Sequence, residues 1–105
     1  MDVTIKYLLT MSPAIQKMSL AETQVLEVSE WALYTDIDSN GEEREILSIM
    51  TPENEVFATN SPTFKDAFSS MVNLFNQSGK VVEKIKVIGG ESKAGRHFIT
   101  CTLAI

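Results

Sequence analysis

With 105 residues, 44% of them hydrophobic and 22% charged, the chain is sized for one compact domain with a core of its own and leaves no room for a second. A single cysteine, Cys101, and a single histidine, His97, exclude a disulfide framework and any Cys/His zinc cluster; no cofactor is expected, and metal chemistry would have to rest on carboxylates. No stretch approaches the ~20 consecutive apolar residues of a membrane span, because Lys6, Lys17, Glu22, Glu27 and Glu30 punctuate the first third. Met1-Asp2-Val3-Thr4 lacks the basic start and apolar run of a secretory signal, so the expectation is a reduced intracellular setting without a membrane partner.

The net charge of −5 argues against a protein that coats nucleic acid through many phosphate contacts, but the charge is unevenly placed. Residues 1–79 hold four basic residues (Lys6, Lys17, Arg44, Lys65) against twelve acids, a balance of −8. Residues 80–105 hold five (Lys80, Lys84, Lys86, Lys93, Arg96) against Glu83 and Glu91, a balance of +3. Such a local basic segment is either the solvated face of a strand or a place where phosphates are met. A net-acidic nucleic-acid binder would use few ionic contacts and rely more on base stacking.

In chain order, Val3, Ile5, Tyr7 and Leu9 alternate with Thr4, Lys6 and Leu8, which predicts an opening strand. Ser12-Pro13 breaks it, and residues 12–18 read either as one helical turn or as an ordered loop. Residues 25–37, rich in Val, Trp, Leu, Tyr and Thr, predict one long strand. Asn40-Gly41 then marks a type I′ hairpin turn, which needs positive φ at both central residues. Residues 43–51 are the return strand, with Ile46, Leu47, Ile49 and Met50 as its apolar content. A turn at Thr51-Pro52-Glu53-Asn54 leads to a short extended piece, Val56-Phe57-Ala58.

The period changes after Pro62. Phe64, Ala67, Phe68, Met71, Val72 and Phe75 fall on one helical stripe, started by Ser61 before Pro62, or by Thr63 with Asp66, and stopped by Gly79. A one-faced helix must bury that face, so the phenylalanines read as core. Residues 81–88 return to alternation, with Val81, Ile85 and Val87 on one side, Lys84 and Lys86 on the other, and Gly89-Gly90 as the end. In residues 96–105, Ile99, Cys101, Leu103 and Ile105 share one face, which leaves Phe98 an aromatic on the polar side. The order strand, strand, strand, helix, strand, strand predicts a mainly β single domain, a five-stranded OB-like barrel with one α-helix between strands 3 and 4.

Three motifs fail on chemistry. Asp36-Ile37-Asp38-Ser39-Asn40-Gly41 matches half of a calcium loop, but the twelfth position, where a bidentate Glu belongs, is Leu47. Gly90 and Gly95 are spaced like phosphate-loop glycines, yet Arg96 and His97 stand where Lys and Ser/Thr should, and a strand follows instead of a helix. His97 and Cys101, four apart on a strand, project to one face ~13 Å apart, beyond hydrogen-bond reach, with no recognisable acid to orient the imidazole. Nothing positive points to an enzyme.

Residues 46–105 resemble the single-stranded-DNA-binding proteins of small protein-primed bacteriophages. The carriers are Ile46, Ile49, the acidic turn before Val56-Phe57-Ala58, the helix around Ala67, Lys84-Ile85-Lys86-Val87, Gly90, Ser92-Lys93-Ala94-Gly95, Phe98 and the apolar C-terminus. The likeness extends more weakly through Val25-Leu26-Glu27 to Tyr34. It implies an OB-like fold, sequence-tolerant binding of the displaced strand during replication in the cytoplasm of a bacterial host, and replication proteins as further partners. It also implies DNA contact through aromatics: Tyr34 and Phe57 fall where the family carries tyrosines, whereas a third, near Ser39-Asn40, is missing.

The expected site therefore combines Trp31, Tyr34, Phe57 and Phe98 as stacking rings with Lys84, Lys86, Lys93 and Arg96 as phosphate ligands. The competing expectation is an acidic protein-binding regulator, or nucleic-acid mimic, that works through the −8 portion of the chain. Oligomeric state is not readable.

Overall fold

The structure, a computed structural model, describes residues 2–104. Its first element is a helix, α1 (Val3–Thr10), where a strand was expected. Asp2 caps it, with Oδ1 accepting from the amides of Thr4 at 2.7 Å and Ile5 at 3.4 Å. The segment carries two periods at once, and the i, i+3, i+4 spacing of Ile5, Leu8 and Leu9 prevails over the alternation because it buries Leu9 completely.

A short strand, β1 (Gln16–Lys17), and a 3-10 turn, Met18–Ala21, follow. The single long strand expected over residues 25–37 is two: β2 (Val25–Glu27) and β3 (Glu30–Ile37). They part at Val28-Ser29, where successive amides serve different sheets. The Val28 amide donates to Glu83 O and the Ser29 amide to Met50 O, both at 2.8 Å.

The hairpin joining β3 to β4 (Glu43–Met50) is as expected in place, but not in turn type. The Asp38 amide donates to Glu42 O, and only Gly41 of the three loop residues takes the left-handed region, at φ +79°. That is a three-residue loop with a glycine bulge rather than a two-residue I′ turn. After β5 (Val56–Thr59), helix α2 (Pro62–Gln77) starts at Ser61, whose Oγ accepts from the Phe64 amide at 3.4 Å and donates to Ile99 O at 3.2 Å. The last two strands are β6 (Lys84–Glu91) and β7 (His97–Leu103). Val82 is buried in place of Val81, which is exposed, and β6 runs through Gly89 and Gly90 instead of stopping there.

The architecture corrects the expected barrel. Among the described residues there are seven strands in two open sheets with two α-helices: a four-stranded sheet ordered β1-β5-β4-β3 and a three-stranded sheet ordered β2-β6-β7. Closure fails because the opening segment coils into α1 and because residues 25–37 divide between the sheets. Leu47, Ile49 and Phe57 from one sheet and Leu26, Ile85, Val87, Ile99 and Cys101 from the other share a core with Phe64 and Phe68 of α2. On the back of the four-stranded sheet, α1 sets Leu9 against Met50 and Val56. Ile105, expected on the inner face of β7, lies outside the described residues.

Candidate nucleic-acid interface

Register assigns the faces. The row Lys17, Ala58, Ser48, Ala32 crosses all four strands of the larger sheet, and Tyr34 opposite Ile46 and Asp36 opposite Arg44 lie on the same side. That is the side α1 packs on, but α1 covers only the end carrying Ala32, Met50 and Val56. Arg44, two rungs beyond Ala32, and Lys17, at the β1 edge of the Ala32 rung, are exposed. Tyr34 is half-buried, and its hydroxyl accepts from Ser48 Oγ at 3.4 Å.

A cleft of about 560 Å³ opens between the β1–β5 border of one sheet and the start of β7 in the other. Lys17, Arg44 and His97 line it together with Ser19, Asn60 and Phe98, and no carboxylate does. In a chain of net charge −5, a lining that holds Lys17 and Arg44 and no carboxylate sets this cleft apart. Acids gather elsewhere, with Glu27, Glu53 and Glu55 lining a separate cleft of about 410 Å³.

Arg44 and His97 are each held from behind by a carboxylate. Arg44 Nε donates to Asp38 Oδ2 at 3.0 Å, and Asp38 Oδ1 accepts from the amides of Asn40 and Glu42. The amide of Glu42 foremost, with Asn40 and Arg44 behind it, holds the Asp38 carboxyl below the usual carboxylate range. His97 Nε2 meets Glu22 Oε1 at 2.5 Å, so the fold supplies the acid that sequence reasoning did not find. The pair sits over Gly89, where an added Cβ would fall 2.1 Å from Glu22 Oε1.

Phe98 is the second residue of β7. It is half-buried, opposite Gly90 in the β6–β7 register, and forms part of the cleft wall. Lys93 and Arg96 are exposed at the adjoining turn, which is closed by the Ser92 amide on Arg96 O and by Gly95 at φ +78°. Lys84 and Lys86 are exposed on the same face of the three-stranded sheet as Phe98. The Lys86 rung is four residues from that of Phe98, or ~13 Å, and Glu27 lies opposite Lys84.

The other two rings are elsewhere. Phe57 is only 6% exposed and belongs to the core, so it has no free face for a base. Trp31 points to the core side of β3, edge-on to Phe68 with centroids 5.4 Å apart, and is 38% exposed. The structure thus brings Phe98 together with Lys17, Arg44 and His97 around the cleft, sets Lys93 and Arg96 at the adjoining β6–β7 turn, Lys84 and Lys86 at one flank and Tyr34 on the outer face of the larger sheet, and places Phe57 in the core and Trp31 against Phe68. Lys17 and Arg44 carried only one sequence signal, that of lone cations in an acidic stretch.

Cys101 is buried, and burial pushes its thiol up to about 12, which keeps it a packing group. Among the described residues, no group of three or more His, Cys, Asp or Glu is placed to hold a metal ion, and no helix is long and apolar enough to cross a membrane. Comparison of the chain with protein-family models, with curated proteins and with solved structures returns no match.

Proposed function

We propose that the protein binds single-stranded DNA with little regard to sequence, as a non-enzymatic coat of strands exposed in replication. The observation that supports this reading is the cleft beside Phe98, whose lining includes Lys17, Arg44 and His97 and no carboxylate, with Asp38 and Glu22 standing behind Arg44 and His97. Phe98 and Tyr34 offer π-faces that any base can use, and Lys17, Arg44, Lys93 and Arg96 meet phosphates along the path between them. Lys86 and Lys84 extend that path over the three-stranded sheet. Stacking contributes roughly 1–3 kcal/mol per base, so two rings with a handful of cations make a useful affinity without a basic protein. Replication proteins of the bacterial host or its phage are the partners this role would bring.

The test is titration of a labelled 30-nucleotide oligothymidylate at low salt, read by anisotropy. The expected result is saturable binding that Phe98→Ala weakens about 5- to 150-fold, the equivalent of one lost stack. Absence of binding to the folded protein overturns the proposal. The second reading, a docking module for a basic partner, is favoured by the cleft that Glu27, Glu53 and Glu55 line. Retention of a host protein after nuclease treatment, abolished by Glu53→Lys but not by Phe98→Ala, would select it instead.

A further inference from the structure

The hydrogen-bond pattern of β3 leaves half of its backbone unused. β4 residues 47, 49 and 51 face β5, as shown by the Thr51 amide on Glu55 O, so Arg44, Ile46, Ser48 and Met50 face β3. The Asp38 amide on Glu42 O fixes the same phase from the other end. In β3 the even residues are therefore bonded to β4, and the N–H and C=O of Trp31, Leu33, Thr35 and Ile37 point outward from the last strand of the sheet. The side chains of these four share one face and are all exposed, Trp31 at 38%, Leu33 at 43% and Ile37 at 64%. An eight-residue edge of this kind is an open template for another strand.

We infer that this edge pairs with the β3 of a second copy of the chain, antiparallel, about a two-fold axis through Tyr34. A symmetric ladder using the outward groups must pair odd residues with odd residues, which a two-fold through any residue satisfies, and Leu33, Tyr34 and Thr35 are the centres near mid-strand that use most of the edge. Centring on Leu33 sets Glu30 opposite Asp36 twice over, and centring on Thr35 leaves Trp31 without a partner in the strand. Centring on Tyr34 sets Trp31 against the partner's Ile37 and Leu33 against the partner's Thr35, which joins two exposed apolar rows into one. Asp36 then faces Ala32, and Glu30 faces Asp38, whose carboxylate is already engaged by Arg44. The Ile37 amide, held by Asp36 Oδ1 at 2.9 Å, exchanges that exposed contact for a ladder bond. The interface is isologous, so it closes at two copies. The inference is independent of what the cleft binds.

Sedimentation equilibrium of the full chain, raised in concentration to its solubility limit, is expected to show a species of twice the 11.7 kDa chain mass. Thr35→Pro, which removes an outward donor and leaves the β4 ladder intact, and Leu33→Lys should each return it to monomer with an unchanged circular dichroism spectrum. In the antiparallel ladder Tyr34 faces its own copy at a non-hydrogen-bonded position, so Tyr34→Cys is expected to form an intermolecular disulfide on oxidation and Ala32→Cys is not. A monomer at all concentrations, a dimer that survives both edge variants, or no crosslink through Tyr34→Cys overturns the inference.

Discussion

The ring of Phe98 rests directly on Gly90, its cross-strand partner: a Cβ added to Gly90 would fall 2.7 Å from Phe98 Cζ and 3.2 Å from Cε1 and Cε2. No other residue type leaves room for that ring position. Gly90→Ala is expected to displace the ring, and with it most of the affinity that Phe98→Ala removes, while Phe98 itself stays in the chain. Fluorescence anisotropy with oligothymidylate, compared for the two variants, checks this. Wild-type affinity in Gly90→Ala would show that the ring position does not matter.

Salt dependence reports the cations. Each phosphate neutralised on a single strand contributes about 0.7 to the slope of log affinity against log salt concentration. Lys17→Ala and Arg96→Ala are each expected to flatten the slope by about that amount. Arg44→Ala should flatten it by less, because Arg44 is already paired with Asp38, and it also frees that carboxylate. Lys65→Ala should change nothing, because its Nζ is already given to Glu45 O at 2.9 Å.

The core has a centre. Phe64 is fully buried and Phe68 almost so, and they connect both sheets through α2. Truncation of either to alanine is expected to cost roughly 3–5 kcal/mol, measured by urea denaturation. Ser61→Ala, which loses the cap of α2 and a bond to Ile99, should cost about 1 kcal/mol. An equal cost for Ser61 and Phe64 would contradict this division of labour.

Cys101 makes stability fall at high pH. Its thiol titrates near 9.0 in the open chain and at about 12 when buried, so its neutral form is preferred by the fold. That contribution is complete below the unfolded value and is lost as pH rises from about 9 towards 12. Cys101→Ala should remove this alkaline decline in melting temperature, and the native thiol should resist alkylation at pH 8. At the acid end, Asp2, held below its usual range mainly by the Thr4 amide, gives α1 support that is present above pH 3.8 and lost as pH falls. Asp2→Ala is expected to remove that acid dependence.

The parts legible in sequence were those with one dominant signal. The stripe from Phe64 to Phe75 with Ser61-Pro62 before it defined α2, and Asn40-Gly41 located the β3–β4 hairpin. Ile85 and Val87 against Lys84 and Lys86 gave the faces of β6 correctly. Where two periods overlapped, in residues 3–9, tertiary burial of Leu9 decided, and local alternation misled. Val28-Ser29 has no glycine or proline to announce that the strand changes sheets, so the barrel expectation had nothing to correct it. Phe57 fits a stacking ring by resemblance, yet its neighbour across the sheet is fully buried Ile49, a relation that only register reveals. The cleft draws Lys17, Arg44 and His97 from three distant points of the chain, a grouping no spacing rule could supply.

The stretch from Gln16 to Glu30 is bonded first to one sheet, through β1, then to the other, through β2, and at Ser29 back to the first. It laces the two sheets together like a stitched seam, and its residues 17–19 form part of the cleft wall. Parting the sheets there would mean breaking ladder bonds on both sides of the seam at once. The spacing of the two sheets along this stretch is therefore set by main-chain bonds, not by side-chain packing alone.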